Sequence, residues 1–261
     1  MVVWYFGTMG FSYRDWRGVF YPAGSKPRDY LQEYSKVFNA IEIDGTFYGT
    51  PKPEIVKRWA VNTPDNFVFC LKMPRVITHE LELLNSTYYV QEFIDRVLLL
   101  GEKLGVILIQ LPPKFTLSMM SNLTSFIQDL PLEVRFGVEF RHRSWYTSKI
   151  AEILEQYNLC WVATEYKGLP KEVPLTTDFF YVRFIGHHGR FEQHHRVRMD
   201  VSKNLRWWQK RIADIAPHIT TIYGYFNNDY SGFAPATCNQ FKSILGLQIV
   251  KYELPKQERL F

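Results

Sequence analysis

The sequence lacks the features that mark several large classes of protein. Its three cysteines, Cys70, Cys160 and Cys238, are widely spaced and form no CxxC pair, which argues against a disulfide framework and predicts buried free thiols at Cys70 and Cys160. No apolar run approaches the roughly 18 residues of a membrane span. The first six residues lack the basic region of a signal peptide. These absences predict a soluble, cytoplasmic protein without a membrane partner.

Signature motifs of common enzymes are also missing. The chain has no Walker loop, no GxSxG elbow and no HExxH pair, and Gly7-Thr8-Met9-Gly10 is too weak a match to a dinucleotide-binding fingerprint. His187, His188, His194 and His195 lie close in sequence, but neighbours on an extended segment point in opposite directions. A divalent metal site is therefore not favoured, and the sequence identifies no cofactor.

Short apolar runs alternate with amphipathic helical patterns in a chain that is 46% hydrophobic and 16% aromatic. The runs are continuous, as expected for parallel strands covered on both faces. They cover residues 4–8, 40–42, 67–72, 106–111, 135–140, 160–164, 179–184 and 221–226. The helical patterns cover residues 28–38, 54–61, 88–104, 118–130, 148–157, 203–216 and 234–245. This order predicts a TIM-type (β/α)8 barrel in a single domain over 1–253, with a tail at 254–261; an open doubly wound sheet is the alternative.

Polar residues end most of these runs, and a barrel would gather them at one mouth, because barrel sites lie at the carboxyl ends of the strands. The set is Glu42, Asp44, Lys72, Gln110, Glu139, Arg141, Glu165, Arg183, Asn227 and Asn228. Glu139 and Arg141 share a face if their strand continues, because side chains two residues apart point the same way. Acids, bases and amides together predict a ligand that carries an anionic group and also hydroxyls or amines.

We therefore predict an enzyme, a hydrolase or a lyase, that binds a small anionic or phosphorylated ligand at this mouth. Arg141, Arg183 and Lys72 are expected to hold the anion, and Glu139 or Glu42 is the predicted acid/base group. The other predicted ligand-binding residues are Asp44, Gln110, Trp145, His187, Asn227 and Asn228. The loops that hold the last three bind phosphate in many barrels. A self-satisfied ion network, or glycoside chemistry at two paired acids, is the alternative.

A basic stretch supports a second hypothesis, association with nucleic acid. The chain has a net charge of +5, whereas residues 183–211 carry eight basic residues against two acids, a net charge of +6. Such a surface attracts phosphate backbones, and Trp207-Trp208 between Arg206 and Lys210 resembles a base-stacking platform. The alternative is a solvated helix face, with one of the two tryptophans in the core.

The last residues, Gln257, Leu260 and Phe261, resemble the short tails by which DNA-transaction proteins dock on sliding clamps. Leu260 and Phe261 would fill an apolar groove while Gln257 makes hydrogen bonds. Pro255 and its charged neighbours indicate an exposed segment. The alternative is an apolar pair folded back on the barrel.

Motifs spread in order along nearly the whole chain resemble one known family. They include Gly7-Thr8-Met9-Gly10-Phe11-Ser12-Tyr13, Ile41-Glu42-Ile43-Asp44-Gly45-Thr46-Phe47-Tyr48, Thr78-His79, Gln110-Leu111-Pro112-Pro113, Glu139-Phe140-Arg141-His142, Ser144-Trp145 and Tyr225-Phe226-Asn227-Asn228. In these motifs the chain is similar to domain of unknown function family 72, the YecE-like family. The resemblance implies a TIM-like barrel and supplies no reaction.

Overall fold

The computed structural model describes residues 2–252, so the tail contacts predicted for Gln257, Leu260 and Phe261 lie outside the described residues and stay a prediction. The strands are β1 (Val3–Thr8), β2 (Ala40–Ile43), β3 (Val68–Lys72), β4 (Leu104–Gln110), β5 (Arg135–Glu139), β6 (Cys160–Trp161), β7 (Ala163–Glu165), β8 (Phe179–Phe184) and β9 (Thr221–Phe226). The α-helices are α1 (Tyr30–Ser35), α2 (Pro53–Val61), α3 (Thr87–Val97), α4 (Met120–Gln128), α5 (Ser148–Gln156), α6 (Ser202–Ile215), α7 (Asn228–Ser231) and α8 (Ala234–Ile244).

The paired strands all run parallel and form two hydrogen-bonded sheets. Their orders are β1-β9-β8-β7 and β2-β3-β4-β5-β6. The sheets meet at a parallel bridge between Met9 and Glu42, where the Gly10 amide donates to the Glu42 carbonyl oxygen at 2.8 Å. The predicted mixed α/β fold with parallel strands is thereby confirmed.

The predicted sixth strand, residues 160–164, is two short strands that change partner at Val162. β6 pairs with β5, and β7 pairs with β8. Between them the Val162 amide donates to the Val138 carbonyl oxygen at 3.0 Å. A continuous apolar run gives no sign of this change, because both halves are buried. One run of sequence therefore contributes to both sheets.

Two apolar layers lie on opposite faces of the strands. Along β3, Val68 and Cys70 belong to one layer, while Phe69 and Leu71 belong to the other, as the alternation of strand side chains requires. The smaller layer consists of Met9, Ala40, Val68, Cys70, Val106, Leu108, Cys160, Val162, Phe179, Tyr181, Tyr223 and Tyr225. All three cysteines are buried and free, which confirms the prediction for Cys70 and Cys160.

Prolines and a glycine set several helix ends. Pro53 begins α2 and Pro235 is the second residue of α8, positions that suit proline because the first turn of a helix does not use the missing N–H. The helical pattern at 88–104 extends too far, because α3 ends at Val97 and Gly101, with a φ of 57°, interrupts the 3-10 helix that follows. Among the described residues, no helix combines the length and apolar character that a membrane crossing requires.

Candidate functional site

The polar residues predicted at the strand ends lie along one edge of the two sheets, the carboxyl edge. Lys72, Gln110 and Glu139 are the last residues of β3, β4 and β5. Gln110 and Glu139 are register partners across β4 and β5. Glu42 and Arg183 are one residue from the ends of β2 and β8. Strand register thus brings together side chains that are far apart in sequence.

Glu42, Glu139, Tyr181 and Arg183 form a buried hydrogen-bonded group, the inner network. The Arg183 guanidinium donates to both Glu42 carboxylate oxygens at 2.9 Å and 2.7 Å, and to Glu139 Oε2 at 2.6 Å. The Tyr181 hydroxyl donates to Glu42 Oε2 at 2.6 Å. Both glutamates are fully buried, and Arg183 is 3% exposed. Both carboxylates are therefore hydrogen-bonded to Arg183, and a ligand has no access to them in this state.

Burial and charge act differently on the two glutamates. Burial raises the pKa of Glu42 to about 7, although Arg183 opposes the rise. Burial also works to raise the pKa of Glu139, but Arg141 and Arg183 outweigh it and hold that pKa below its usual value. Burial works to lower the pKa of Arg183, and Glu139 and Glu42 instead keep it well above the ordinary value. Glu139 and Arg183 are thus a stable ion pair at neutral pH.

Phe47, Lys72 and His79 pack together beside the inner network, and Arg141 is near enough for its charge to act on His79; these four residues are called the outer cluster. Arg141 Nε donates to Glu139 Oε1, so the two side chains meet as their spacing indicated. The Lys72 ammonium lies 3.9 Å from the centroid of the Phe47 ring, and the His79 ring packs edge-on against the same phenylalanine. Within residues 2–252, no hydrogen bond involves Lys72 Nζ or either Nη atom of Arg141. The outer cluster therefore holds cationic donors that remain open.

Two residues of the outer cluster have perturbed pKa values. Burial, reinforced by Arg183 and opposed by the charges of Asp44, Glu139 and Glu42, lowers the pKa of Lys72 to about 8. Burial and then the charges of Lys72, Arg75, Lys114 and Arg141 lower the pKa of His79 to about 4, so its imidazole is neutral at pH 7. Sequence reasoning did not assign His79 to the site. It lies on a π-helical turn, Val76–Glu80, which apolar periodicity does not reveal.

The remaining predicted residues near this edge have structural partners. Asn227 caps α7 by accepting from the Asp229 amide at 2.8 Å, and Asn228 accepts from the Ala234 amide at 3.0 Å. The Gln110 amide donates to the Leu111 carbonyl oxygen at 2.7 Å. Asp44 Oδ1 lies 3.5 Å from Arg183 Nη2.

Trp145 was predicted to contact the ligand, but its side chain is fully buried. Its indole donates to the Phe115 carbonyl oxygen at 2.7 Å, and its ring stacks on Phe115 and Phe140 with no exposed surface. It packs under the strand end that carries Glu139, which assigns it a supporting role rather than a ligand contact.

His187 lies apart from the inner network, on a separate cavity of about 570 Å³ beside Glu165. The neighbouring histidines approach one carboxylate: ring nitrogens of His188 and His194 lie 3.7 Å and 3.5 Å from Asp229. In the described part of the chain, no group of three or more His, Cys, Asp or Glu side chains is placed to hold a metal ion.

The basic stretch 183–211 is not one surface. Arg183 is buried in the inner network, and Trp208 lies on the buried face of α6. Lys203, Arg206 and Lys210 lie exposed on the outer face of α6, with Trp207 half-buried between them. The sequence alone does not separate Arg183 from the others, because its acid partners are distant in the chain.

Comparisons with known proteins agree on one family. The chain matches the family described as "Protein of unknown function DUF72" over residues 5–259. The UPF0759 protein YecE of Escherichia coli K12 is 39% identical over 116 residues, a match that spans 44% of this chain and only 43% of that relative. The UPF0759 protein YunF of Bacillus subtilis is 24% identical and is aligned over 98% of this chain and 99% of its own length.

Two solved structures share the fold. A DUF72 family protein of Thermotoga maritima superposes with a TM-score of 0.81 at 29% identity, covering 94% of this chain and 99% of that one. A DUF72 family protein of Enterococcus faecalis superposes with a TM-score of 0.76 at 18% identity, covering 95% and 99%. At that lower identity the likeness concerns the fold alone.

Proposed function

The chain belongs to the DUF72 family of proteins of unknown function, as its motifs predicted, and we propose that it binds a small anionic, phosphorylated ligand at the carboxyl edge of its strands. The observation that carries the proposal is the pair of open cations in the outer cluster. Lys72 and Arg141 are held in place by Phe47 and Glu139, yet their outer donors have no hydrogen-bond partner in the described part of the chain. A guanidinium fork beside an ammonium suits phosphate oxygens.

We infer that the two sheets close into one (β/α)8 barrel. Three features support closure: the Met9–Glu42 bridge between β1 and β2, the continuation of β6 into β7, and a smaller apolar layer drawn from both sheets. In such a barrel the outer cluster lies at the carboxyl mouth, where barrel enzymes hold their ligands. The location at the carboxyl edge and the open cations thus both support a ligand site at the outer cluster.

The inner network has a supporting role in this proposal. Glu42 and Glu139 are fully buried and bonded to Arg183, so they set the charge of the site and position Arg141 rather than contact the ligand. For a hydrolase or lyase reaction on the bound ligand, we assign proton transfer to His79. Its imidazole is neutral, its Nδ1 lies 2.8 Å from Thr78 Oγ1, and an arriving dianion favours its protonation.

Calorimetric titration of inorganic phosphate into the protein tests the anion site. We expect Lys72→Met and Arg141→Met each to weaken binding at least about tenfold, because each removes a charged hydrogen bond. Arg28→Met, which removes an arginine whose side chain is 78% exposed, is the control and should leave the affinity unchanged. Equal affinities in all four proteins, or no phosphate binding by the wild type, would refute the site.

The exposed face of α6 favours a second candidate, binding of single-stranded nucleic acid. Lys203, Arg206 and Lys210 surround the half-buried Trp207, and the Lys171 ammonium lies 5.5 Å from the centroid of its ring. Cations around a partly exposed indole are the arrangement on which bases stack.

Fluorescence anisotropy with a labelled single strand tests this second candidate. We expect Trp207→Ala to weaken binding at least about fivefold through lost base stacking. Alanine at Lys203, Arg206 and Lys210 together should reduce the slope of log affinity against log salt by about 2. Undetectable or salt-insensitive binding by the wild type would remove this candidate.

A further inference from the structure

The cavity beside Glu165 has the volume of a ligand site. Its volume of about 570 Å³ lies between the loop after β7, the loop after β8 and the beginning of α6. That volume falls within the roughly 300–1,000 Å³ of small-molecule sites. Its lining includes Glu165, Tyr166, Lys171, His187, Asn204 and Tyr230.

The Glu165 carboxylate forms the polar floor of the cavity and is incompletely occupied. It accepts from Lys171 Nζ at 2.9 Å, from Trp208 Nε1 at 2.5 Å, and from Asn204 Nδ2. An ionised carboxylate has about four acceptor positions, so three donors leave one, which the nearby Tyr230 hydroxyl shares with any ligand hydroxyl that enters the cavity. Glu165 is only 9% exposed, and its remaining acceptor position is therefore available mainly to a group that enters the cavity.

The Tyr230 hydroxyl is the second polar group of the floor. Tyr230 is 3% exposed, and its hydroxyl lies close to Glu165 and Asn204 but completes no well-formed hydrogen bond in the described part of the chain. Burial, and then the charge of Glu165, raise the pKa of Tyr230 above its ordinary value, so the hydroxyl keeps its proton. A buried polar group without a partner is costly, and a ligand hydroxyl in the cavity would remove that cost.

The rim of the cavity is basic and adjoins the outer cluster. Lys167, Arg190 and His187 are exposed around the opening. Tyr166 lines the cavity, and the Arg141 guanidinium lies 4.4 Å from the centroid of the Tyr166 ring. The Tyr166 ring thus separates the cavity from Arg141, one of the two residues proposed to bind the anion.

We propose that the cavity beside Glu165 is a subsite for the hydroxyl groups of a phosphorylated sugar or polyol whose phosphate is held by the outer cluster. The proposal rests on the proposed function and adds the part of the ligand that is not phosphate. Glu165 accepts from one ligand hydroxyl, and the Tyr230 hydroxyl pairs with another. The basic rim disfavours an amine in that position, because like charges repel.

Calorimetric titrations with matched probes test this assignment. The probes are inorganic phosphate; the phosphate esters glycerol 3-phosphate, ribose 5-phosphate and glucose 6-phosphate; and the three parent alcohols without phosphate. We expect at least one ester to bind more tightly than inorganic phosphate. Tyr230→Phe should weaken the binding of that ester at least about fivefold, the effect of one lost hydrogen bond, and leave the affinity for inorganic phosphate unchanged.

Two further variants separate a local effect from a general one. Glu165→Gln should also weaken the binding of the ester and leave the affinity for inorganic phosphate unchanged. Thermal melting verifies that this variant remains folded. Tyr5→Phe removes a hydroxyl near the amino end of β1, at the opposite edge of the sheets, and should change neither titration.

The outcomes distinguish this subsite from the anion site. Esters that bind no more tightly than inorganic phosphate, or an ester whose affinity Tyr230→Phe leaves intact, would overturn the subsite while the anion site stands. Binding of a parent alcohol that depends on Tyr230, without any phosphate binding, would support the subsite and refute the anion site. Absence of binding by every probe would overturn both.

Discussion

Arg183 and Arg141 bind the same carboxylate, Glu139, but have different surroundings. Arg183 directs its donors to two buried glutamates and also lies 3.5 Å from Asp44, so its donors are engaged within the protein. Arg141 uses Nε for Glu139 and leaves its Nη atoms open, with Tyr166 beneath its guanidinium and Lys72 in the same cluster. The comparison separates a cation that stabilises the fold from a cation that is available to a ligand.

The largest expected effect is on stability, from Arg183→Met. Glu42 and Glu139 would remain buried without their shared partner, so we expect a loss of about 3–5 kcal/mol in the free energy of unfolding. Denaturant unfolding at pH 7 measures it, with the exposed Arg28→Met as the control, expected within about 0.5 kcal/mol of the wild type. A loss for Arg183→Met below about 1 kcal/mol would contradict a structural role for the inner network.

Lys72 gives a prediction of intermediate size that depends on pH. Its pKa is lowered to about 8 in the fold from 10.5 in the unfolded chain. The unfolded state therefore binds more protons between pH 8 and 10.5, and this contribution to stability rises with pH across that window. The difference in unfolding free energy between the wild type and Lys72→Met should rise in favour of the wild type, by no more than about 3 kcal/mol. If the difference in unfolding free energy did not change between pH 8 and 10.5, Lys72 would be solvated like a surface lysine.

The strands could be predicted from the sequence because each is a continuous apolar run buried on both faces. The positions of the polar residues at the strand ends follow from the same runs. The pairing could not be predicted, because Arg183 meets Glu42 across 141 residues only through the order and register of the strands. The Thr78-His79 motif includes His79 in the family resemblance but assigns it no role, and Tyr181 was not among the predicted site residues. The role of Tyr181 depends on Glu42, and the lowered pKa of His79 depends on its burial and on four nearby cations.

The smallest expected effect is a change in the proton affinity of His79 on anion binding. Bound phosphate would offset the charges of Lys72 and Arg141, so the pKa of His79 should rise from about 4 by at least about 1 unit. An NMR titration of the histidine ring signals with and without phosphate measures the rise. The signal of His218, which lies just before β9 at the opposite edge of the sheets, should not respond to phosphate. An unchanged pKa of His79 in the presence of phosphate would show that His79 is not part of the anion site.

A crystal structure with bound tungstate, an electron-dense analogue of phosphate, tests the separation of the two groups most directly. We predict a tungsten peak for a tungstate whose oxygens lie within hydrogen-bond distance of Lys72 Nζ and the Arg141 Nη atoms. Arg183 should remain bound to Glu42 and Glu139. A peak only beside Lys203, Arg206 and Lys210, or an anion that displaces a glutamate from Arg183, would contradict it.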